Sequence, residues 1–275
     1  MAAGCASSCD NPTMAATTPL DSTRETLKRL LEEAHDGRIQ IPEFQRELIL
    51  EDEWIKSLLA SVSLSYPIGA VMLLQAGSPD VRFKARLIAG RPSSSTEPER
   101  LLLDGRQRLT SLHQVLASGR VVQTQHDHNE PIQRWYYIDI NAAIDPDADR
   151  DEAIISVPET RQVRTPHEVM LDLSTVELEW EKCLFPLRLV FGANAELRRW
   201  QGGFAKHGAI EDAGARDQLM DRFEAEVLKA FEGYLVPTII LGKETARWSV
   251  RVHGGREGRS LSDRFRVTDR NLHRR

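Results

Sequence analysis

One chain reversal gathers most of the residue types that could do chemistry. Leu101-Leu102-Leu103-Asp104-Gly105-Arg106-Gln107-Arg108-Leu109-Thr110 runs from an apolar triplet, through an acid and a glycine, into a helical period carried by Leu109, Leu112, Val115 and Leu116. A strand that ends where a helix begins leaves the first helical N–H groups pointing outward, where they favour an anion. The helix dipole adds roughly 0.3–1 kcal/mol to that preference. Gly105 would let a phosphate approach the backbone. Arg106 and Arg108 can add forked, charge-assisted hydrogen bonds to phosphate oxygens. Asp104 can cap the helix, hold an arginine, or share a Mg2+ with bound phosphates. Capping and ion pairing alone is the ordinary alternative, and the segment lacks the G-x-x-x-x-G-K-[ST] spacing of a P-loop. Against it, two arginines in a first helical turn oppose the dipole, a broken local rule of the kind expected at functional sites.

The elements that must position this turn are legible on either side. Ser22 with Glu25 reads as a capping box opening a helix, with Leu27, Leu30, Leu31 and Ala34 on one face and Gly37 at its end. Arg38–Ile41 reads as a short strand. A second helix is expected from about Asp52 to Leu64, burying Trp54, Ile55, Leu58, Leu59 and Val62. Ile68–Leu74 reads as an interior strand, Val81–Ile88 as a half-exposed one, and Arg134–Ile140 as another. Residues 141–170 read mostly as loop. Beyond them, Ala195–Trp200 and Asp212–Phe231 read as helices and Leu235–Leu241 as a last apolar strand. The fold class expected is α+β: a small, largely mixed sheet followed by a helical segment.

The chain has 275 residues, 41% hydrophobic and 28% charged, with a net charge of −5, ordinary for a globular protein. A sequence pI near 5.9 argues against a generic nucleic-acid coater, so any such contact should be local. The charge is uneven: Lys243–Arg275 holds ten Lys and Arg against four Asp and Glu, leaving 26 against 37 elsewhere. Residues 1–20 are rich in Ala, Ser, Thr and Pro, read as disordered, and lack the pattern of a secretory signal. The cysteines, Cys5, Cys9 and Cys183, have no framework spacing, so a reducing, cytoplasmic setting is expected. His126-Asp127-His128 offers two imidazoles in a polar loop, and Cys5 and Cys9 lie in the N-terminal stretch; neither resembles a zinc site. His113 reads as a surface histidine.

Ile41-Pro42-Glu43-Phe44-Gln45-Arg46, Tyr66-Pro67-Ile68-Gly69, Leu103–Leu112, Trp135-Tyr136-Tyr137-Ile138-Asp139-Ile140 and Tyr234-Leu235-Val236-Pro237-Thr238-Ile239-Ile240-Leu241 come in an order that resembles the N-terminal domain of GmrS/GmrSD-type restriction proteins. The resemblance implies a ParB/sulfiredoxin-like core over about 21–140, a helical extension over about 170–242, and an NTP-binding, NTP-hydrolysing module of anti-phage defence that uses Mg2+. It implies that Asp104, Gln107 and Arg108 act in catalysis, with Asp104 also the metal ligand. Gly105, Arg106, Gln45 and Arg46 would bind nucleotide or DNA, although Gln45 and Arg46 also read as a solvated loop. Arg106 stands where the family hallmark, Asp-Gly-Gln-Gln-Arg, has glutamine, which puts turnover in more doubt than binding. The partners implied are a nucleoside triphosphate, DNA, and a nuclease domain or subunit supplied in trans. An NTP-responsive DNA-binding module without turnover and a non-functional truncated fragment are the alternatives. From Lys243 on, family pattern and apolar period both stop, which reads as a frameshifted end or as a basic tail that grips phosphates; no nuclease domain is expected after residue 242.

Overall fold

The computed structural model describes residues 20–43, 45, 48, 50–77, 84–88, 96–125 and 131–243. Arg46, Cys5, Cys9, His126-Asp127-His128 and the tail from residue 244 lie outside the described residues.

A mixed six-stranded sheet organises the first half. Its strands are β1 (Leu20–Thr26), β2 (Ile39–Pro42), β3 (Val71–Gln75), β4 (Ala85–Arg86), β5 (Arg100–Asp104) and a late strand, Leu235–Leu241. The order is β1, the late strand, β3, β5, β2, β4. The late strand runs antiparallel to β1 and parallel to β3, β3 antiparallel to β5, and β5 parallel to β2. Helices α1 (Leu27–Asp36), α2 (Asp52–Ser63) and α3 (Arg106–Leu116) contribute apolar side chains to one core, which includes Leu73 and Leu102. Leu74, Leu101, Leu103 and Leu241 form a smaller cluster. Alternation along β5 thus sends successive leucines to opposite faces.

The second sheet is built on β7 (Pro131–Asp139), with β6 (Val122–Gln125) and β11 (Leu184–Pro186) along one path and β8 (Ile154–Pro158) also paired to β7. β9 (Gln162–Arg164) and β10 (Val169–Asp172) form a separate hairpin. Between and after these come α4 (Ile140–Ile144), α5 (Arg150–Ala153), α6 (Val176–Glu181), α7 (Asn194–His207) and α8 (Ala213–Phe223). A π-turn (Glu224–Leu228) leads from α8 into α9 (Lys229–Glu232), and β12 (Leu235–Leu241) is the late strand of the first sheet. Trp200, Phe204, Phe223 and Phe231 join the same continuous core as α1 and α3. The class is α+β with mixed sheets, as the sequence led us to expect.

Several local expectations change. Residues 20–26 are strand, because pairing with β12 outweighs the capping box; Thr26 caps α1, accepting from Arg29 N at 3.3 Å. Gly37 does end α1, at φ 76°. Trp54 is 36% exposed, one step round from the buried stripe Ile55, Leu58, Leu59 and Val62. Residues 141–170 hold short strands and helical turns rather than loop, since β8 finds a partner in β7.

Buried acids tie the elements together. Asp52, at the start of α2, accepts from the hydroxyls of Tyr136 and Ser156, each at 2.6 Å. Glu179 on α6 is fully buried and accepts from Trp200 Nε1 at 2.8 Å and Tyr137 Oη at 3.2 Å. Burial pushes its carboxyl above the usual glutamate range, against the pull of Trp200, Arg188, Arg161 and Tyr137. The folded state therefore holds this proton more tightly than the unfolded chain. Its contribution is present below the unfolded value of about 4.3 and is lost as pH rises through the folded one. Urea unfolding across this range should show wild-type stability falling relative to Glu179→Gln; a parallel pair of curves would contradict the assignment.

Candidate functional site

β5 does not enter the turn straight. Met72 faces Asp104 and Leu73 faces Leu102, so Leu103 is an extra residue on β5. Such a bulge twists the strand and re-aims the residues beyond it. Gly105 then takes a left-handed conformation, φ 85° and ψ 13°, and serves as the N-cap of α3. A Cβ there would come within 3.0 Å of Val71 Cγ2 and 3.4 Å of Arg108 Nη2. Glycine is thus required twice, for the dihedral and for the space.

No side chain caps α3, and its first turn contains no acid. Asp104 does not cap the helix but pairs with an arginine: Oδ2 lies 3.5 Å from Arg108 Nη2, with the carboxylate side chain 67% exposed. A pair this open contributes about 0.2–1 kcal/mol, so Asp104 is held loosely and faces solvent. Gln107 is exposed and Arg106 half-buried. Beyond its first turn, every residue of α3 from Leu109 to Leu116 is buried, so only the start of the helix reaches the surface.

Arg108 is firmly engaged. Nη1 donates to the Ile68 carbonyl at 2.6 Å and Nη2 to the Ala70 carbonyl at 2.9 Å. Each bond from a charged donor is worth about 1.5–3 kcal/mol. The guanidinium packs so closely on Gly69, which has φ 89°, that a Cβ there would lie 2.0 Å from Nη1. From the other side Tyr234 Oη donates to the Tyr66 carbonyl at 2.6 Å and accepts from Ile68 N at 3.1 Å. Arg108 and Tyr234 together grip the loop between α2 and β3, on which Tyr66 is 59% exposed.

Gln45 reaches the same region. Its Nε2 donates to the carbonyls of Leu102 at 2.8 Å and Leu103 at 3.2 Å, at the bulge, and its own carbonyl accepts from Arg86 at 3.0 Å. The structure therefore brings together Asp104, Gly105, Arg106, Gln107, Arg108 and Gln45. Sequence reasoning misses Gly69, Val71 and Tyr234 as parts of this site. The Tyr-Pro-x-Gly and Tyr234 segments are visible in the sequence, but nothing in their spacing says that they meet. His113 is a correction: it is fully buried, with Nε2 3.4 Å from His35 Nδ1, because α3 is covered on all sides. The pair meets only if one of the two facing nitrogens carries the hydrogen.

Among the described residues no group of three or more His, Cys, Asp or Glu could hold a metal ion, and no helix is long and apolar enough to cross a membrane. An uncharacterized protein of Methanocaldococcus jannaschii is 24% identical over 235 residues, covering 81% of this chain and 36% of that relative. The chain thus spans about a third of that protein's length. The family model for the N-terminal domain of the GmrSD restriction endonuclease matches residues 27–180, the span that contains the bulged strand, the Gly105 turn and the loop that Arg108 grips. The chain belongs to the GmrSD restriction endonuclease N-terminal domain family.

Proposed function

We propose that this chain is the nucleotide-responsive module of a restriction system, binding a nucleoside triphosphate at the start of α3 and hydrolysing it. The observation that carries this reading is the helix start behind Gly105: no capping side chain, no acid, and arginines in the first turn. Backbone N–H groups and the helix dipole there suit a polyphosphate. Arg106 adds charge at the rim. Arg108 acts through the loop that it and Tyr234 hold, and Gln45 holds the bulge.

Mg2+ fits this arrangement in one way. It is commonly held by one or two carboxylates together with substrate phosphates rather than by an all-protein cage. Asp104 is a single exposed carboxylate beside the helix start, so the ion would arrive with the nucleotide and neutralise charge on its phosphates. Gln107, exposed at the same turn, would orient a water. DNA and a nuclease domain or subunit complete the proposed system. A module that binds without turnover is the second reading, favoured by Arg106 standing where the family hallmark has glutamine.

Titration with GTP, UTP, CTP and ATP in Mg2+, paired with phosphate release, tests both. Asp104→Asn should weaken binding in Mg2+ but not in EDTA. Gln107→Ala should leave affinity intact and cut phosphate release by about 100-fold, as for loss of a positioned polar group. Both side chains are exposed, so neither change threatens the fold. Binding with no release by the wild type would select the second reading. A folded chain that binds none of the four would end the nucleotide hypothesis.

A further inference from the structure

A concave site lies between α6 and α7, at the end of the family match and beyond it. It has a volume of about 700 Å3, within the range of small-ligand clefts. α6 lends Glu177 and Trp180; α7 lends Arg198, Arg199, Lys206 and His207, with Gly202 and Gly203 between them. The position of these helices is fixed: Glu179 is anchored to Trp200 on α7 and Tyr137 on β7.

Three observations point to a ligand. The first is charge. Arg198, Arg199 and Lys206 are exposed on a chain of net charge −5, and no ion pair engages them among the described residues. The second is a flat aromatic wall. Trp180 is 9% exposed, and the exposed His207 lies nearly parallel to it, with centroids 5.8 Å apart and 21° between planes. The indole Nε1–H is buried with no acceptor among the described residues, whereas a buried indole N–H normally has one. The third is the pair of glycines. At Gly203 a Cβ would lie 1.9 Å from the Trp180 ring, so glycine is needed for packing. At Gly202 a Cβ would meet nothing within 4 Å. Glycine inside a helix is less stable than alanine, and packing gives no reason for it here; its effect is to keep the floor of the cleft open.

We infer that this cleft holds an unpaired nucleotide, with the phosphate on the α7 cations and the base against the His207–Trp180 stack. Arg199 and Lys206, seven positions and two turns apart on α7, flank the open floor. Glu177, held ionised by its own backbone N–H and the Thr175 hydroxyl, repels phosphate from the α6 side and offers an acceptor to base amino groups. The ligand could be a free mononucleotide or an unstacked nucleotide in a strand. This site stands apart from the Gly105 turn and does not depend on the function proposed there.

The test uses the full chain with two probes, 2′-deoxyadenosine 5′-monophosphate and a fluorescein-labelled oligothymidylate of about a dozen nucleotides. Gly202→Leu fills the floor while keeping every cation, and should weaken binding about tenfold, on the scale of one lost base stack. Arg199→Ala with Lys206→Ala should also weaken the strand, and should flatten its log-log salt slope by about 1.4. Thermal melting checks that each variant is folded. Mononucleotide that displaces the strand identifies the free ligand as sufficient; a strand that binds alone identifies the unstacked nucleotide. Full binding by folded Gly202→Leu, equal displacement by inorganic polyphosphate, or loss of binding in Asp104→Asn instead would each overturn the inference, as would a wild type that binds neither probe.

Discussion

Arg100→Ala lowers the stability of the fold by about 3–5 kcal/mol, the usual result of removing one partner from a buried ion pair. Arg100 opens β5 and ties it to Glu25 at the end of β1 and to Glu33 on α1. Nη1 donates to Glu25 Oε1 at 2.7 Å and Nη2 to Glu25 Oε2 at 3.2 Å, and Nη2 also contacts Glu33 on α1. Glu25 is 9% exposed and Glu33 3%. Glu33 keeps Arg29 at 3.0 Å and Arg38 at 3.7 Å, but Glu25 has no second cation among the described residues. The loss therefore falls mainly on Glu25, and Glu25→Gln should recover part of it in the Arg100→Ala background. Urea unfolding of the two single variants and the double variant measures the coupling. A loss below about 1 kcal/mol would place the cluster with ordinary surface pairs.

Gly69→Ala should be nearly as severe, about 3 kcal/mol, for a different reason. At φ 89° a residue with a Cβ carries a strain of about 1–3 kcal/mol. The new methyl would also sit 2.0 Å from Arg108 Nη1. A long side chain usually swings away cheaply, but this one would have to abandon the Ile68 and Ala70 carbonyls. Thermal unfolding reads the stability, and Arg108→Lys is the companion variant. A single ammonium cannot reproduce the fork that spans two carbonyls, so Arg108→Lys should reproduce the loop's release without adding strain. If Arg108→Lys matches wild type in stability while nucleotide binding is lost, Arg108 touches the nucleotide directly and its grip on the loop is incidental.

Much of this site is legible in the sequence because local pattern and local structure agree there. The leucine triplet, Asp104-Gly105 and the Leu109–Leu116 period are contiguous, so strand, turn and helix can be read without knowing the rest. The partners of Arg108 lie about 40 positions earlier, and Tyr234 meets Tyr66 across 168 positions; sequence spacing says nothing about such meetings. His113, read as a surface residue, misleads for another reason, and Thr110, Ser111 and Gln114 share its setting. They are polar yet buried, because α3 is covered on every side, and polarity normally signals an exposed face. Glu25 fits a helix cap by its spacing from Ser22, whereas the same carboxylate serves a strand; only pairing of β1 with β12 decides between the two.

That pairing also bears on how the protein is made. Leu20 faces Leu241, and β12 lies between β1 and β3. While a ribosome is still adding residues before Leu235, β1 lacks the strand it pairs with and the edge of β3 that β12 will cover presents unpaired backbone N–H and C=O groups. Contacts this distant in sequence are slow to form, since loop-closure entropy comes before their reward. An open strand flank meanwhile invites other nascent chains. β12 thus acts as the keystone of the first sheet, and yield in the cell should depend on how quickly it arrives and on chaperones that shield β3 until it does.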